Sequence, residues 1–133
     1  MQFFFIKWPY VKLFLQRSFD MAKRRCFSID VIESIAYRKL SNEAKVLYFG
    51  LMAHADDEGV VINHNIALCI QGVEESALQE LVDNCFIIKI NELYIIKHWY
   101  MHNRIHPSKF TKSVYQSEIS RLFVNERHEY DFL

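Results

Sequence analysis

Glycine and proline are scarce in this chain, at 3 and 2 of 133 residues. That excludes collagen-like and low-complexity classes and predicts short loops with a high helical content. Cysteine is nearly as rare. Cys26, Cys69 and Cys85 are an odd, widely spaced set without a Cys-x-x-Cys pair, so zinc ribbons and dithiol redox motifs are excluded. The set fits a reduced, cytoplasmic protein in which Cys69 and Cys85, lying in apolar surroundings, are buried and inert. No Gly-rich phosphate loop is present, which leaves P-loop nucleotide hydrolysis unsupported. No uninterrupted apolar run reaches the roughly 18 residues of a membrane span. Net charge is also missing, with 16 basic against 16 acidic side chains.

What is there is a chain of one-domain length, half apolar and a quarter charged, with 11 Phe, 7 Tyr and 2 Trp. Its charges are segregated. Residues 1–39 carry 8 basic and 3 acidic side chains, residues 40–92 carry 2 and 9, and residues 93–133 carry 6 and 4. Two basic ends therefore flank an acidic middle.

Residues 1–20, MQFFFIKWPYVKLFLQRSFD, stand apart. They are rich in Phe and Leu but interrupted by Lys7, Pro9, Lys12 and Arg17, with no clear signal-peptide pattern. Three readings are open: a peripheral amphipathic segment, a docking helix or strand, or upstream sequence preceding the true start. The third is favoured, because Met21-Ala22-Lys23-Arg24-Arg25 itself reads as a protein start followed by a short basic arm.

The organising stretch is Cys85–Trp99, CFIIKINELYIIKHW. Phe86–Ile90 and Leu93–Ile96 are rich in β-branched and aromatic residues, and Asn91-Glu92 is a hairpin-length connection. Asn91 tolerates a positive φ, whereas Glu92 suits a type I′ turn poorly. A lone hairpin is marginal in water, so this one requires helices to cover it. They are predicted before it. Ser28 caps a helix over about Ile29 to Tyr37. Ser41 caps NEAKVLYFGLMAHA, with a core stripe of Ala44, Leu47, Tyr48, Leu51 and Met52. Asn63 caps HNIALCIQ, which stops at Gly72, and a further helix covers about Glu74 to Asn84. Between them, Asp56-Asp57-Glu58 reads as a solvated loop turning at Gly59, since its spacing is wrong for a calcium loop. Val60–Ile62 is expected to pair with the hairpin and close a three-stranded sheet. After the hairpin, Ser113 caps a closing helix, VYQSEISRLF, and 125–133 reads as a polar tail. Helices followed by a hairpin are the order of a winged-helix domain, spanning 21–124. The fold expected is α+β, mainly helical.

Two features bear on chemistry. Helix 74–84 occupies the position that enters the major groove in helix-turn-helix proteins. Its polar positions are Glu74, Glu75, Gln79, Glu80 and Asp83, which would repel phosphate. From Leu93 to Ser117, by contrast, there are four cations and no acid, interleaved with Trp99, Tyr100, Phe110 and Tyr115. Cations among aromatic rings suit phosphate contact and base stacking. The competing reading is a core edge with buried rings and solvated cations. His98, His102 and His106 share an i, i+4, i+8 spacing, but Pro107 and the strand end argue against one helix, and no metal site is expected.

Met21-Ala22-Lys23-Arg24-Arg25-x-Phe27-Ser28, Leu47-Tyr48-Phe49, Ala55-Asp56-Asp57-x-Gly59, Ile96-Lys97-His98-Trp99, Met101-His102-Asn103 and Val114-Tyr115-Gln116 resemble, in this order, the N-terminal domains of phage replisome organisers. Those are similar to DnaD-type primosomal replication proteins, and the resemblance covers roughly Met21 to Phe123. It implies a non-enzymatic, cofactor-free winged-helix module that binds origin DNA and forms homo-oligomers ahead of helicase loading. A host helicase or helicase loader would then be a partner. Lys23, Arg24, Arg25, Lys97, Arg104, Lys109 and Lys112 are the expected phosphate contacts, and Trp99 or Tyr100 the stacking ring. The alternative is a protein–protein assembly module of the replisome, or a truncated prophage remnant, without DNA affinity of its own. The expected start carries its own test: the intact mass of the natively expressed product should correspond to a chain beginning at Met21, and a mass including Met1 would contradict it.

Overall fold

The computed structural model describes residues 22–133. Among these the chain is α+β and mainly helical, with seven helices and two antiparallel hairpins. The helices are α1 (Ile29–Ile32), α2 (Ile35–Arg38), α3 (Asn42–Ala53), α4 (His64–Gln71), α5 (Glu75–Asp83), α6 (Trp99–His102) and α7 (Gln116–Ile119). The strands are β1 (Ile87–Ile90), β2 (Leu93–Ile96), β3 (Leu122–Val124) and β4 (Tyr130–Phe132). No helix among the described residues is long and apolar enough to cross a membrane. The expected N-terminal extension, 1–20, lies outside the described residues.

The central element is α3. Ala44, Leu47, Tyr48, Leu51 and Met52 are all buried, as their helical spacing predicts. Helices α4 and α5 pack against it. Gly50 lets α4 approach, because a Cβ there would stand 2.7 Å from the Gln71 side chain. At its N-terminus the Ser41 hydroxyl accepts from Ala44 N–H at 3.1 Å. Glu80 on α5 in turn accepts from Ser41 N–H and Oγ–H, both at 2.7 Å. One of the acids in the expected groove-reading helix thus serves to fasten α5 to the start of α3.

The Ile29–Tyr37 segment is two single turns rather than one helix. Ser34 interrupts it by donating its hydroxyl to Val31 O and capping Tyr37 N–H, the competition with backbone that Ser offers inside helices. Asn63 caps α4 through Ile66 N–H, and α4 ends at Gly72 in the left-handed region. Helix α5 ends in the same manner with Cys85 at φ 62°. Phe86 N–H reaches Leu81 O, and Cys85 N–H reaches Val82 O, the double bond of a Schellman ending. This corrects the expectation of buried thiols. Cys85 sits on the outside of that turn and Cys69 on the outer face of α4, and both are exposed.

Strands β1 and β2 pair from Ile87↔Ile96 to Ile90↔Leu93 around the two-residue turn, with Asn91 at φ 54°. The expected third strand is reduced to a single bridge, Val60↔Ile95. Val61 N–H reaches Tyr94 O and Ile96 N–H reaches Gly59 O, but Ile62 N–H turns back to His54 O at the end of α3, so the pairing stops.

The C-terminal end differs most from expectation. The closing helix is only one turn, α7, and the supposed polar tail supplies β4, which pairs with β3 from Leu122↔Phe132 to Val124↔Tyr130. Asn125 organises the turn by accepting from Arg127 and Glu129 N–H groups. Tyr130 is buried, and its N–H reaches Lys97 O, fastening the second hairpin to the first.

The doubly used Ser41 gives a direct stability test. Ser41→Ala removes the cap of α3 and a partner of the Glu80 carboxylate, and should lower unfolding free energy by about 1–2 kcal/mol. Urea denaturation of the variant against wild type checks it.

Candidate nucleic-acid interface

The residues Asp56–Gly59 were expected to form a solvated loop. They form instead the point at which four parts of the chain meet. Asp56 Oδ1 closes the loop by accepting from Glu58 and Val60 N–H groups. Burial pushes its carboxyl pKa up, opposed by the Ser113 side chain and those two N–H donors. Asp57 Oδ1 pairs with Arg25 Nη1 at 3.0 Å, and Asp57 Oδ2 accepts from Thr111 N–H at 3.0 Å. The backbone oxygen of Asp57 accepts from Trp99 Nε1–H at 2.8 Å. Glu58 Oε2 accepts from Ser113 N–H and from the Gln116 amide, and Glu58 O accepts from Tyr130 Oη–H at 2.6 Å. Gly59, at φ 85°, lies so close to Trp99 that a Cβ would stand 2.7 Å from the indole.

Two irregular segments are anchored here. The arm 22–28 has no regular structure, and its N–H groups at Cys26 and Ser28 donate to Asn103 Oδ1 and His102 Nδ1. The segment 103–115 crosses the loop from the other side through Thr111 and Ser113. They carry most of the expected phosphate contacts. Lys23, Arg24, Arg104, Lys109 and Lys112 are exposed, and the Arg25–Asp57–Thr111 connection brings the neighbours of Arg24 and Lys112 onto one carboxylate.

The other expected contacts are internal. Arg25 is 9 % exposed at its side chain, donates to Ala55 O, and lies over the Trp99 ring at 5.1 Å. Its charge is spent on Asp57, so it is not available to phosphate. Trp99 is fully buried and cannot stack on a base. Tyr100 is half-buried and packs edge-on against Tyr130 at 5.4 Å. Lys97 donates its ammonium to Tyr130 O and lies 3.9 Å from Glu129. These residues hold the basic segments in place rather than presenting themselves. Periodicity could not reveal this, since the same aromatic and cationic types serve both roles.

The histidines are dispersed. His106 is exposed and bonds Ser108. His98 faces Glu129 at 3.7 Å and packs on Phe86. His102 is buried, accepting from Ser28 N–H on Nδ1 and meeting Tyr48 Oη at 2.6 Å on Nε2. Because a backbone N–H occupies Nδ1, the ring is neutral with its proton on Nε2, donated to Tyr48. Both nitrogens are engaged, so this ring is neither ligand nor base as it stands. Among the described residues no group of three or more His, Cys, Asp or Glu is arranged to hold a metal. Two grooves flank the arm, of 190 and 130 Å3, below the roughly 300 Å3 at which small-molecule sites begin.

No family model, curated protein or solved structure matches the chain.

His102 makes the arm's attachment pH-dependent. Burial, with His98 nearby, lowers its pKa to about 4; burial also lowers His98 and His54. The unfolded chain takes up the His102 proton near pH 6.5, whereas the folded one refuses it until about pH 4. Stability is therefore complete above pH 6.5 and declines as pH falls through that window. From His102 alone the loss between about pH 7 and pH 5 should be about 2 kcal/mol. Denaturation midpoints across this range should show it, and His102→Gln should flatten the slope while lowering stability at neutral pH.

Proposed function

We propose that this chain is a non-enzymatic DNA-binding and assembly module of a phage or prophage replication-initiation system, built as a winged helix with β1–β2 as the wing. The reading rests on one observation above the others. Two basic segments about eighty residues apart in sequence are held side by side at Asp57, with Lys23, Arg24, Arg104, Lys109 and Lys112 exposed along them. Segregated cations of this kind contact phosphate, the term that dominates non-specific nucleic-acid affinity. The resemblance to replisome organisers runs through the same residues: the arm, the Asp56–Gly59 loop and the segment after the wing.

The burial of Trp99 and the edge-on packing of Tyr100 favour duplex over single-stranded DNA. Single strands are gripped through exposed aromatic faces, and these two rings are occupied. With Glu80 bound to Ser41 and further acids beside it, α5 is a poor groove reader. The duplex is then held by its backbone, with little sequence discrimination from this helix. Homo-oligomerisation and contact with a host helicase or loader belong to the same proposal.

A protein–protein module without DNA affinity is the second reading. It is favoured by the apolar residues exposed around α3, where Phe27, Ile29, Val46 and Phe49 are 55, 63, 43 and 38 % accessible.

Fluorescence anisotropy with labelled duplex and single strand, between about 50 and 200 mM salt, distinguishes the two. Five phosphate contacts give a slope of log affinity against log salt of about −4.5. Arg104→Glu and Lys109→Glu should each weaken duplex binding and reduce the slope by about 1. No binding at the lower salt, together with concentration-dependent mass in sedimentation, would overturn the DNA reading in favour of the assembly module.

A further inference from the structure

We infer that Asp57 is a positioning residue for DNA: an acid whose removal weakens binding to a polyanion. The inference rests on the DNA-binding reading above and concerns how the two basic segments come to act as one surface.

Neither segment has a fold of its own. The arm 22–28 makes no helix or strand, and 103–115 is irregular, with one turn at Pro107–Lys109. The arm is attached at Ser28 and Cys26 through His102 and Asn103, and closer to its free cations through Arg25. The second segment is attached through Thr111 and Ser113. Asp57 is the side chain that holds both, with one oxygen on Arg25 and the other on Thr111 N–H. Arg24 directly precedes the first of these partners and Lys112 directly follows the second. The carboxylate is 14 % exposed and opposed by the Arg25 charge at 3.0 Å. It therefore projects little negative potential toward a bound phosphate while setting the separation of the cations that would meet it. Trp99 completes the arrangement, fixing the loop through the Asp57 carbonyl and lying under the Arg25 guanidinium.

Electrostatics alone and positioning predict opposite signs. If Asp57 acted only as a charge, Asp57→Asn would add one net positive charge and tighten binding with a slope as steep or steeper. If it acts as the shared anchor, the variant loosens the arm at Arg25, upstream of its attachments at Cys26 and Ser28, so that Lys23 and Arg24 must be ordered again on binding. Affinity for a duplex should then fall about tenfold, and the salt slope should become shallower by about 2, the contribution of Lys23 and Arg24.

The full chain is used for the test. Asp57→Asn and, keeping the charge but losing the guanidinium fork, Arg25→Lys are each compared with wild type for duplex binding across the salt range. Circular dichroism melts establish which variants are folded at the assay temperature, so that either variant alone suffices. The decisive comparison is a double-mutant cycle with Lys23→Ala/Arg24→Ala. With the anchor present this pair should lose about two units of slope. In the Asp57→Asn or Arg25→Lys background it should lose almost nothing further, a non-additivity that general destabilisation does not produce. Tighter binding, an unchanged slope, or full additivity in a folded variant overturns the anchor role while leaving the DNA reading intact. Absence of wild-type binding overturns both.

Discussion

The contact between Trp99 and Gly59 is the one on which the other connections depend. The indole lies where a side chain at residue 59 would be, and its N–H is given to the Asp57 carbonyl. This fixes the four-residue loop so that its carboxylates and carbonyls reach the arm, the 103–115 segment and Tyr130. Arg25 can then cover the ring and pair with Asp57, and Tyr130 can reach Glu58 O. A buried arginine paired with a carboxylate is costly to desolvate and strongly destabilising to break. Its value here lies in fixing the placement of the arm.

The design separates two jobs that composition alone would merge. Aromatic residues and cations recur through the arm and the stretch after the first hairpin, yet they divide into an inner and an outer set. Arg25, Lys97 and Trp99 serve as fasteners, joined to Asp57, Tyr130 and Glu129. Lys23, Arg24, Arg104, Lys109 and Lys112 remain in solvent. The acidic middle of the chain divides likewise. Asp56, Asp57, Glu58 and Glu80 are hydrogen-bonded internally, and Asp57 also pairs with Arg25 of the basic arm.

Local rules read well at many caps and turns, though Ser28 and Ser113 cap no helix through their side chains and Ser34 splits the expected first helix. Ser41 and Asn63 cap their helices, Gly72 ends one, Asn91 opens the hairpin, and the α3 stripe is buried at every predicted position. They read poorly where the partner is remote. Tyr130 stands among polar residues and gives no sign of a core role, because its partners, Glu58 O and Lys97 O, lie 72 and 33 residues away. Cys85 sits in an apolar run yet is exposed, because its residue takes a left-handed turn that points it outward. The cations present the same difficulty: nothing in KRR distinguishes Arg25 from its neighbours until Asp57 is brought beside it.

By itself, then, the sequence determined the α+β character, the central helix and its core face, the hairpin and its turn, and the two basic segments. Caps, periodicity and charge runs act over one or two turns of chain and need no knowledge of the rest. Tertiary structure alone decided which cations remain free, which aromatics are buried, and that the Asp56–Gly59 loop is the meeting point rather than a solvated turn. A salt bridge, a stacked guanidinium and a buried hydroxyl depend on distances of about 3–5 Å between residues far apart in the chain, and those distances exist only once the whole domain has closed.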